Sequence, residues 1–537
     1  MKKIGMSICL LALILTFTGC GKKEPEMVTG QETLDKEEKK SEVTIGFSSE
    51  PTSWDPCTGY GTTGPIIFST LLEVNGNNEL VNDLATDYTV SEDALTWTFH
   101  IRDDVYFTDG EKLTAGDVAF TYRTAKESAS LVDLTMLDKV SAPDDTTVVF
   151  QLNKPSSTFA FTTAQTGIVP EHAYGDDFGV NPIGSGPYKM VQWDKGQQFI
   201  LEANENYYGT APEIKRAVFL VIEDEDARFV AAQSGQVDIC LTSPTVAQSE
   251  IAGMELVSVA SVDNRGITMP VVPNEGAVTE DGYPVGNDVT CDLAVRKAMC
   301  YGIDREQICS EALNGFADPA YTECDGMPWW NPETKIETDV DYACDLLTKA
   351  GWVDTDGDGI REKDGLKAEF NLMYFAGDSM RQAVAMSVAN QAGEKLGISI
   401  QVEGVSSTET VARMFSEPMI MGWGSSNPVT SYMLYHSSNA GNTDWYNPEN
   451  FKNKTVDSYL DKALNAGSPE EAYEFWKLAQ WDGTTGTSMR GEAPWAFYVN
   501  MHHLYYVKEG LSIGTQKLHA HGAAWPLVAN LKEWKWQ

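Results

Sequence analysis

Basic residues are scarce in this chain of 537 residues: 39 lysines and arginines stand against 78 aspartates and glutamates, a formal net charge of −39 at pH 7. A surface of this sign repels nucleic acid and anionic lipid headgroups. We therefore expect no nucleic-acid partner. Repulsion between copies of the chain also favours a soluble monomer over self-association.

Motifs that carry enzyme chemistry are also missing. The sequence contains no H-E-x-x-H zinc motif and no P-loop. The stretch 59–64 fits G-x-G-x-x-G, but it does not directly follow a buried strand and no parallel βαβ unit surrounds it, so we assign no dinucleotide site there. The sequence predicts a protein that is not an enzyme and that needs no cofactor.

Metal-binding spacings of cysteine and histidine are absent as well. The nine cysteines form no C-x-x-C pair, and an odd seven remain after Cys9 and Cys20 of the N-terminal segment, so buried free thiols are expected. Four of the seven histidines lie near the C-terminus: His502, His503, His519 and His521. In a strand the side chains of the last two would lie ~6.5 Å apart, so only a bent loop could bring both to one ion.

The long apolar run of the sequence lies at its N-terminus. Lys2 and Lys3 precede a mostly apolar stretch, and small residues lead from it to Cys20. This pattern predicts a secretory signal peptide over residues 1–19, because the run is too short for a stable transmembrane helix. It resembles a bacterial lipobox, which implies a lipidated Cys20 and a flexible polar tether over residues 20–40. The expected location is extracytoplasmic, anchored to the cell membrane.

The stretch from Leu95 to Tyr122 carries the strongest local pattern. Its first apolar residues have a period of two: Leu95, Trp97, Phe99 and Ile101. This alternation predicts a strand with one buried face, and a second strand at 148–152 is expected to pair with it. Thr114 and Asp117 then match the box that caps a helix start.

These residues resemble the signature of the family 5 solute-binding proteins, the oligopeptide-, dipeptide- and nickel-binding subunits of ABC importers. The matching pieces are W-T-F, R-D-x-V-x-F-x-D-G and A-x-D-V within 95–122. Further matches are G-S-G-P-Y at 184–188, N-E-N-Y-Y-G at 204–209 and D-L-A-V-R-K-A-M at 292–299. The resemblance covers nearly everything after residue 41.

The resemblance implies an α/β, two-lobed fold of the periplasmic-binding-protein type, with an extra subdomain inserted in lobe I. Lobe I would comprise residues 41–90, 185–285 and 490–537, the inserted subdomain 91–184, and lobe II 286–489. The chain would capture a small solute by hinge closure and deliver it to an ABC permease and ATPase complex. A peptide is the first candidate for this solute. A nickel or metal-chelate binding protein of the same family and a membrane-tethered ligand sensor are the alternatives.

The stretch 421–428 is the main candidate for ligand contact. A predicted strand runs there into glycines and small polar residues, beside an indole that offers a broad apolar face. In dipeptide-binding relatives this stretch carries aspartates, one of which pairs with the peptide amine, so serine and asparagine here disfavour free dipeptides. A helix predicted from Pro65 would aim its first N–H groups at an anion beside the preceding loop. The candidate ligand-binding residues are Tyr60, Trp423, Gly424, Ser425, Ser426, Asn427, Trp445 and Tyr446.

An acidic loop at 354–365 begins like an EF-hand. Asp354, Asp356 and Asp358 occupy positions 1, 3 and 5, but position 12 is a glycine, and Glu362 could replace the missing carboxylate only imperfectly. Asp-Gly pairs also form tight hairpin turns. We favour an acidic turn over a bound calcium ion, which stays open as the alternative.

Overall fold

The computed structural model describes residues 40–58, 64–128, 132–442, 445–522 and 524–537. The proposed signal peptide, Cys20 and Tyr60 lie outside these ranges. Within them, no helix is both long enough and apolar enough for a membrane crossing.

The described strands, numbered in chain order, are β1 (Glu42–Phe47), β2 (Leu72–Val74), β3 (Leu80–Asn82), β4 (Ala85–Val90), β5 (Thr96–Ile101), β6 (Leu137–Asp144), β7 (Thr147–Leu152), β8 (Tyr188–Asp194), β9 (Gln198–Ala203), β10 (Arg216–Val221), β11 (Ile239–Thr242), β12 (Met254–Val259), β13 (Asn264–Thr268), β14 (Ala317–Pro319), β15 (Glu362–Lys363), β16 (Leu366–Lys367), β17 (Glu369–Phe375), β18 (Ser399–Val405), β19 (Met419–Met421), β20 (Trp495–Met501), β21 (His503–Lys508), β22 (Leu511–Ser512) and β23 (Lys535–Trp536).

The described α-helices are α1 (Gly64–Ile67), α2 (Ala115–Glu127), α3 (Phe159–Gln165), α4 (Glu225–Gln233), α5 (Leu293–Gly302), α6 (Arg305–Gln307), α7 (Val340–Lys349), α8 (Ser379–Gln391), α9 (Ser407–Arg413), α10 (Val429–Tyr435), α11 (Lys454–Leu464), α12 (Pro469–Gln480) and α13 (Ala524–Val528). Short 3₁₀ turns lie at Glu171–Ala173, Val246–Gln248, Pro332–Thr334, Ser437–Asn439 and Leu531–Glu533, and π turns at Ile308–Ala312 and Ala392–Leu396.

A seven-stranded sheet with the order β12-β21-β11-β1-β10-β9-β8 forms the centre of the first lobe. Strand β1 lies parallel to β10 and β11, and the remaining pairs are antiparallel. Val43, Ile45 and Phe47 point from β1 into the core, where the rings of Phe47 and Phe219 meet edge to face at 5.4 Å. Burial of these side chains fixes the register of the sheet.

A four-stranded antiparallel sheet, β4-β5-β7-β6, packs on the first lobe. The alternation predicted for β5 is confirmed. Trp97 and Phe99 are buried, whereas His100, which follows Phe99, is exposed. Strand β7 pairs with β5 as expected, with Trp97 opposite Phe150. The helix cap is confirmed too, because the Thr114 N–H donates to the Asp117 carboxylate at 2.9 Å at the start of α2.

The helix predicted from Pro65 is much shorter than expected. It ends at Ile67, and the chain enters β2 at Leu72. The Ile67 carbonyl accepts the Gly186 N–H at 2.8 Å, so this carbonyl serves the Gly184–Gly186 turn instead of a further helical turn. A Cβ on Gly184 would collide with that carbonyl, which explains the glycine there.

The second lobe is built on a six-stranded sheet with the order β14-β20-β13-β19-β17-β18. Strand β17 runs parallel to β18 and β19, while β13 is antiparallel to both β19 and β20. Its buried residues form a core of their own, distinct from that of the first lobe. The structure therefore has two cores, each around a large sheet.

The chain changes sheets twice between these cores. Strand β12 belongs to the seven-stranded sheet and β13 to the six-stranded one, so residues 260–263 form one crossing. Strands β20 and β21 make the reverse change across His502. The expected lobe I ranges 185–285 and 490–537 include β13 and β20, which hydrogen-bond within the second sheet. The division into lobes stays a proposal, whose crossings we place at 260–263 and at His502.

The lobes also touch away from the crossings. The Ser157 N–H and hydroxyl donate to the carbonyls of Leu464 and Ala463, at 2.8 and 2.7 Å, and so satisfy the C-terminal end of α11. Phe161 packs its ring against Trp329 of the second core at 5.6 Å. The described conformation is therefore one in which the two lobes are in contact.

A buried acid lies in the second core. Glu449 is fully buried, and neither of its carboxyl oxygens has a hydrogen-bond partner among the described residues. Burial raises the pKa of Glu449 from 4.5 to about 8, since the apolar surroundings disfavour the charged form. The folded chain therefore holds this proton more tightly than the unfolded chain does. Stability must fall as the pH rises from the unfolded value toward 8, and level off above it.

The variant Glu449→Gln tests this linkage, because glutamine keeps the shape and cannot ionise. We expect the wild-type free energy of unfolding to fall by up to about 1.4 kcal/mol per pH unit relative to the variant between about pH 5 and 8. Urea denaturation at several pH values measures the difference, and Glu275→Gln at an exposed position is the control. Parallel stability–pH curves for Glu449→Gln and the wild type would contradict the assignment.

Candidate functional site

The predicted ligand stretch begins where β19 ends and lies against the first crossing. A Cβ on Gly422 would collide with the Asn264 carbonyl oxygen, and one on Gly424 with that of Val262. Glycine at both positions lets the two backbones approach closely. The ligand stretch of the second lobe is therefore packed directly on the segment that connects the lobes.

Asn264 holds the backbone of Trp423 from two sides. The Trp423 N–H donates to the Asn264 side-chain oxygen at 3.2 Å, and the Asn264 N–H donates to the Trp423 carbonyl at 3.2 Å. The Asn264 amide nitrogen donates to the same carbonyl. Because Asn264 is fully buried, this clamp fixes where the half-buried indole points.

Aromatic side chains from three segments meet beside this clamp. The ring of Trp423 stacks on Tyr446 at 5.3 Å, and the ring of Trp445 meets Phe375 edge to face at 5.7 Å. The Trp423 indole N–H is without a partner among the described residues. The four side chains, Trp423, Tyr446, Trp445 and Phe375, form what we call the aromatic wall. All of them except Phe375 are among the ligand-contact residues that the sequence predicts.

Two of the small polar side chains after Trp423 accept hydrogen bonds from the nearby backbone. The Ser425 hydroxyl accepts the Asn427 N–H at 3.0 Å, and the Asn427 side-chain oxygen accepts the Val429 N–H at 3.0 Å, at the start of α10. These contacts form the turn that leads from the wall into the helix. Ligand contacts of Gly424, Ser425, Ser426 and Asn427 stay a prediction, as does that of Tyr60.

Two arginines that the sequence did not reveal border the wall. Arg381 lies over the ring of Phe375 at 5.2 Å and pairs with Asp378, while Arg265 pairs with Asp263. Burial, and next the nearby Arg265, lower the pKa of Arg381. Each arginine keeps a buried Nε–H that no described residue accepts. These donors suit an anionic group of a ligand, such as a carboxylate.

Both arginines lacked a signal in the sequence. Arg265 lies within a strand and Arg381 in the first turn of α8, and their acidic partners are their near neighbours in sequence. Such short-range pairs are typical of ordinary surface ion pairs. Only the fold shows that Arg265 is buried and Arg381 largely covered, with side chains 6% and 14% exposed, beside the aromatic wall.

The acidic loop at 354–365 forms a hairpin turn. Asp364 and Gly365 both have positive φ, 53° and 82°, as a two-residue turn between β15 and β16 requires. Carboxylate oxygens of Asp354, Asp356 and Glu362 lie within 4.8 Å of one another, whereas Asp358 pairs with Lys367. Backbone N–H groups of the loop already donate to Asp354. The turn is present as favoured, and calcium binding stays an untested alternative.

Comparison with known proteins identifies the family. The family model described as "Bacterial extracellular solute-binding proteins, family 5 Middle" matches residues 79–445. Protein XP55 of Streptomyces lividans is 33% identical over 489 residues, which cover 88% of this chain and 86% of that protein. The oligopeptide-binding protein AppA of Bacillus subtilis is 27% identical over 489 residues, 84% of this chain and 86% of that protein.

A solved structure agrees with this assignment. NikZ from Campylobacter jejuni, in complex with Ni(L-His), superposes with a TM-score of 0.73 and 25% identity, covering 92% of this chain and 99% of NikZ. These relatives are binding proteins and not enzymes. The two-lobed architecture and these matches together show that the chain belongs to the family 5 bacterial extracellular solute-binding proteins, the binding subunits of ABC importers.

Proposed function

We propose that this protein captures a peptide between its two lobes and delivers it intact to an ABC permease. The observation that carries the proposal is the position of the aromatic wall, which lies directly against the crossing at 260–263. A solute bound there would contact the segment about which the lobes move. The wall offers broad apolar faces to side chains of the solute, as ligand sites commonly do.

Closure supplies the mechanism. An open form would present two half-sites, and a solute that contacts both would bind the closed form more tightly. Its differential affinity would shift the population toward closure, and the permease would then recognise the closed shape. ATP hydrolysis belongs to other subunits of the importer. The Ser157 and Phe161 contacts between the lobes are of the kind that a closed form would gain.

A peptide held along its backbone agrees best with the chemistry of the site. Residues 425–427 offer no carboxylate for a free amine, and Arg265 and Arg381 offer N–H donors for a carboxylate. AppA is named as an oligopeptide-binding protein. The alternative is a metal chelate, because NikZ was solved with Ni(L-His) and a chelating amino acid also carries carboxylates.

The variant Trp423→Ala removes the largest face of the wall. We expect ligand affinity to fall at least about tenfold, because the indole supplies much of the apolar contact area. Native mass spectrometry identifies the co-purified solute, and calorimetric titration measures its affinity for each variant. Tyr106→Ala, at a position that is 44% exposed and remote from the wall, is the control. Unchanged affinity in a folded Trp423→Ala variant would remove this residue from the site.

Arg381→Gln tests recognition of a carboxylate. Loss of the guanidinium should weaken the binding of oligopeptides with a free C-terminus by about tenfold and leave their amidated counterparts nearly unaffected. Titration of both peptide forms against the wild type and the variant measures the difference, with thermal unfolding as a check of the fold. Equal losses for the two peptide forms would show that Arg381 only supports the structure.

We also propose that Cys20 carries the lipid anchor. In the full-length protein expressed in a bacterium, Cys20→Ser should move the protein from the membrane fraction to the soluble extracytoplasmic fraction, because the acyl chains are lost. Cys9→Ser, within the signal peptide, should leave the membrane association intact. Membrane association of Cys20→Ser equal to that of the wild type would rule out this anchor.

A further inference from the structure

Three backbone segments lie side by side where the lobes connect: 260–263, 501–503 and 519–521. Two backbone hydrogen bonds of 2.9 and 3.1 Å join the first segment to the third. The Ser261 hydroxyl donates to a carbonyl of the second segment at 2.5 Å. Both crossings and a loop of the first lobe therefore form one junction.

Titratable side chains fill this junction. The Asp263 carboxylate accepts hydrogen bonds from Arg265 and, at 2.6 Å, from Nδ1 of His521, and it lies 3.4 Å from Nε2 of His503. Nδ1 of His503 lies 3.0 Å from Nδ1 of His519. The side chains of Asp263 and His503 are 9% and 3% exposed, and His519 is fully buried. These three side chains are therefore largely shielded from solvent.

The directions of the hydrogen bonds in the junction can be assigned by starting from a group that can only donate. The Trp534 indole N–H, a donor only, points at the Asn530 side-chain oxygen at 2.9 Å. The Gln516 side chain contacts that oxygen and the Ile513 carbonyl, at 2.9 and 2.8 Å, so it must place its NH₂ there. The Gln516 oxygen is then left to accept from Nε2 of His519 at 3.0 Å. Nε2 of His519 therefore carries a proton.

His519 is neutral, and its other ring nitrogen accepts. Burial, and next the neighbours His503 and Lys517, lower the pKa of His519 to about 3. With its proton on Nε2, its Nδ1 offers a lone pair, toward which the Tyr505 hydroxyl also points at 3.4 Å. Nδ1 of His503, at 3.0 Å from this lone pair, must therefore carry a proton.

His503 then carries two protons. Its Nε2 faces the Asp263 carboxylate, which only accepts, so this nitrogen also needs a proton. Burial alone would raise the pKa of Asp263, but Arg265 and the hydrogen bonds from His503 and His521 hold it well below its usual range. The hydrogen-bond directions thus require a buried imidazolium–carboxylate pair, formed by one residue from each crossing.

This pair is connected to the aromatic wall by two short paths. His521, which donates to Asp263 through its side chain, donates its backbone N–H to the Gly424 carbonyl at 2.9 Å. Asn264, the next residue after Asp263, clamps the Trp423 backbone. A change in the geometry of the junction would therefore shift the backbone of the ligand stretch.

We infer that His503 is a positioning residue for solute binding: as an imidazolium paired with Asp263, it holds the junction in the geometry that presents Trp423. This inference rests on the proposed function. Loss of either proton would place a lone pair against Asp263 or against His519 and would leave a buried charge without its partner. Substitution of His503 should therefore weaken solute binding.

The charged and titratable groups that face the pair come from every element packed on it. Strand β13 contributes Arg265, α8 contributes Arg381, β21 contributes Tyr505, and the C-terminal loop contributes His521 and Lys517. The Arg265 and Arg381 guanidinium groups stay charged across the neutral range, and His519 stays neutral there. His521 also contacts the Asp263 carboxylate, so it needs a variant of its own.

The charge of His503 can be measured without any ligand. Nitrogen-15 NMR of histidine-labelled full-length protein distinguishes an imidazolium, with two protonated nitrogens, from a neutral ring. We expect, at neutral pH, an imidazolium signal that is missing in His503→Gln and present in His521→Gln. A neutral His503 in the folded wild type would overturn the inference.

The effect on binding is measured at neutral pH with N-acetylated oligopeptides that have a free C-terminus. The affinity of His503→Gln for them should be at least about tenfold lower than that of the wild type. His502→Gln is the matched control, because His502 lies at the same crossing but pairs with Asp318 and Ser258 at the surface. It should keep the wild-type affinity.

The two proposals fail in different ways. An affinity of His503→Gln equal to that of the wild type would overturn the positioning role while leaving solute binding intact. Absence of binding by every variant and the wild type, for the acetylated peptides and for the co-purified solute, would overturn the proposed function. The NMR result decides the charge of His503 in either case.

Discussion

The close approach of two backbones at Gly422 and Gly424 is the constraint on which the site depends. These glycines let the end of β19 pack against residues 262–264, at the end of the crossing, where any larger residue would collide with a carbonyl. The contact places an aromatic side chain of the second lobe on the segment that joins the lobes. In the proposed mechanism, solute binding and lobe movement would therefore take place at the same part of the molecule, as closure around a solute requires.

The buried polar groups around that contact hold the neighbouring segments in position. Asn264 clamps Trp423, Asp263 gathers three donors, and the loop with His521 reaches across to Gly424. Buried charges of this kind are costly unless paired, and pairing restricts their geometry. The apolar faces of the aromatic wall supply contact area, and the buried network fixes where those faces point.

Much of the fold could be predicted because its signals are local. Alternation predicted β5, and the Thr114–Asp117 box predicted the start of α2. The helix predicted from Pro65 was too long, because the Ile67 carbonyl is taken by a glycine turn more than a hundred residues later. The changes of sheet at 260–263 and His502 had no local signal either, since strand pairing decides them.

The candidate site was predictable in part for the same reason. The glycines on either side of Trp423 indicated a ligand contact at this residue, and Trp445 and Tyr446 were predicted as further contacts. The partnership of Asp263 and His503 spans 240 residues, so the histidines near the C-terminus could be considered only as a metal site. The low exposure of Arg265 and Arg381 likewise depends on tertiary packing, which no short sequence pattern indicates.

The most direct measurement is a crystal structure of the protein with its co-purified solute. We expect electron density for an intact solute between the lobes, in contact with Trp423 and Tyr446, with the crossings at 260–263 and His502 bordering it. A solute bound elsewhere, or a Trp423 side chain sealed from any space between the lobes, would contradict the proposed binding mechanism.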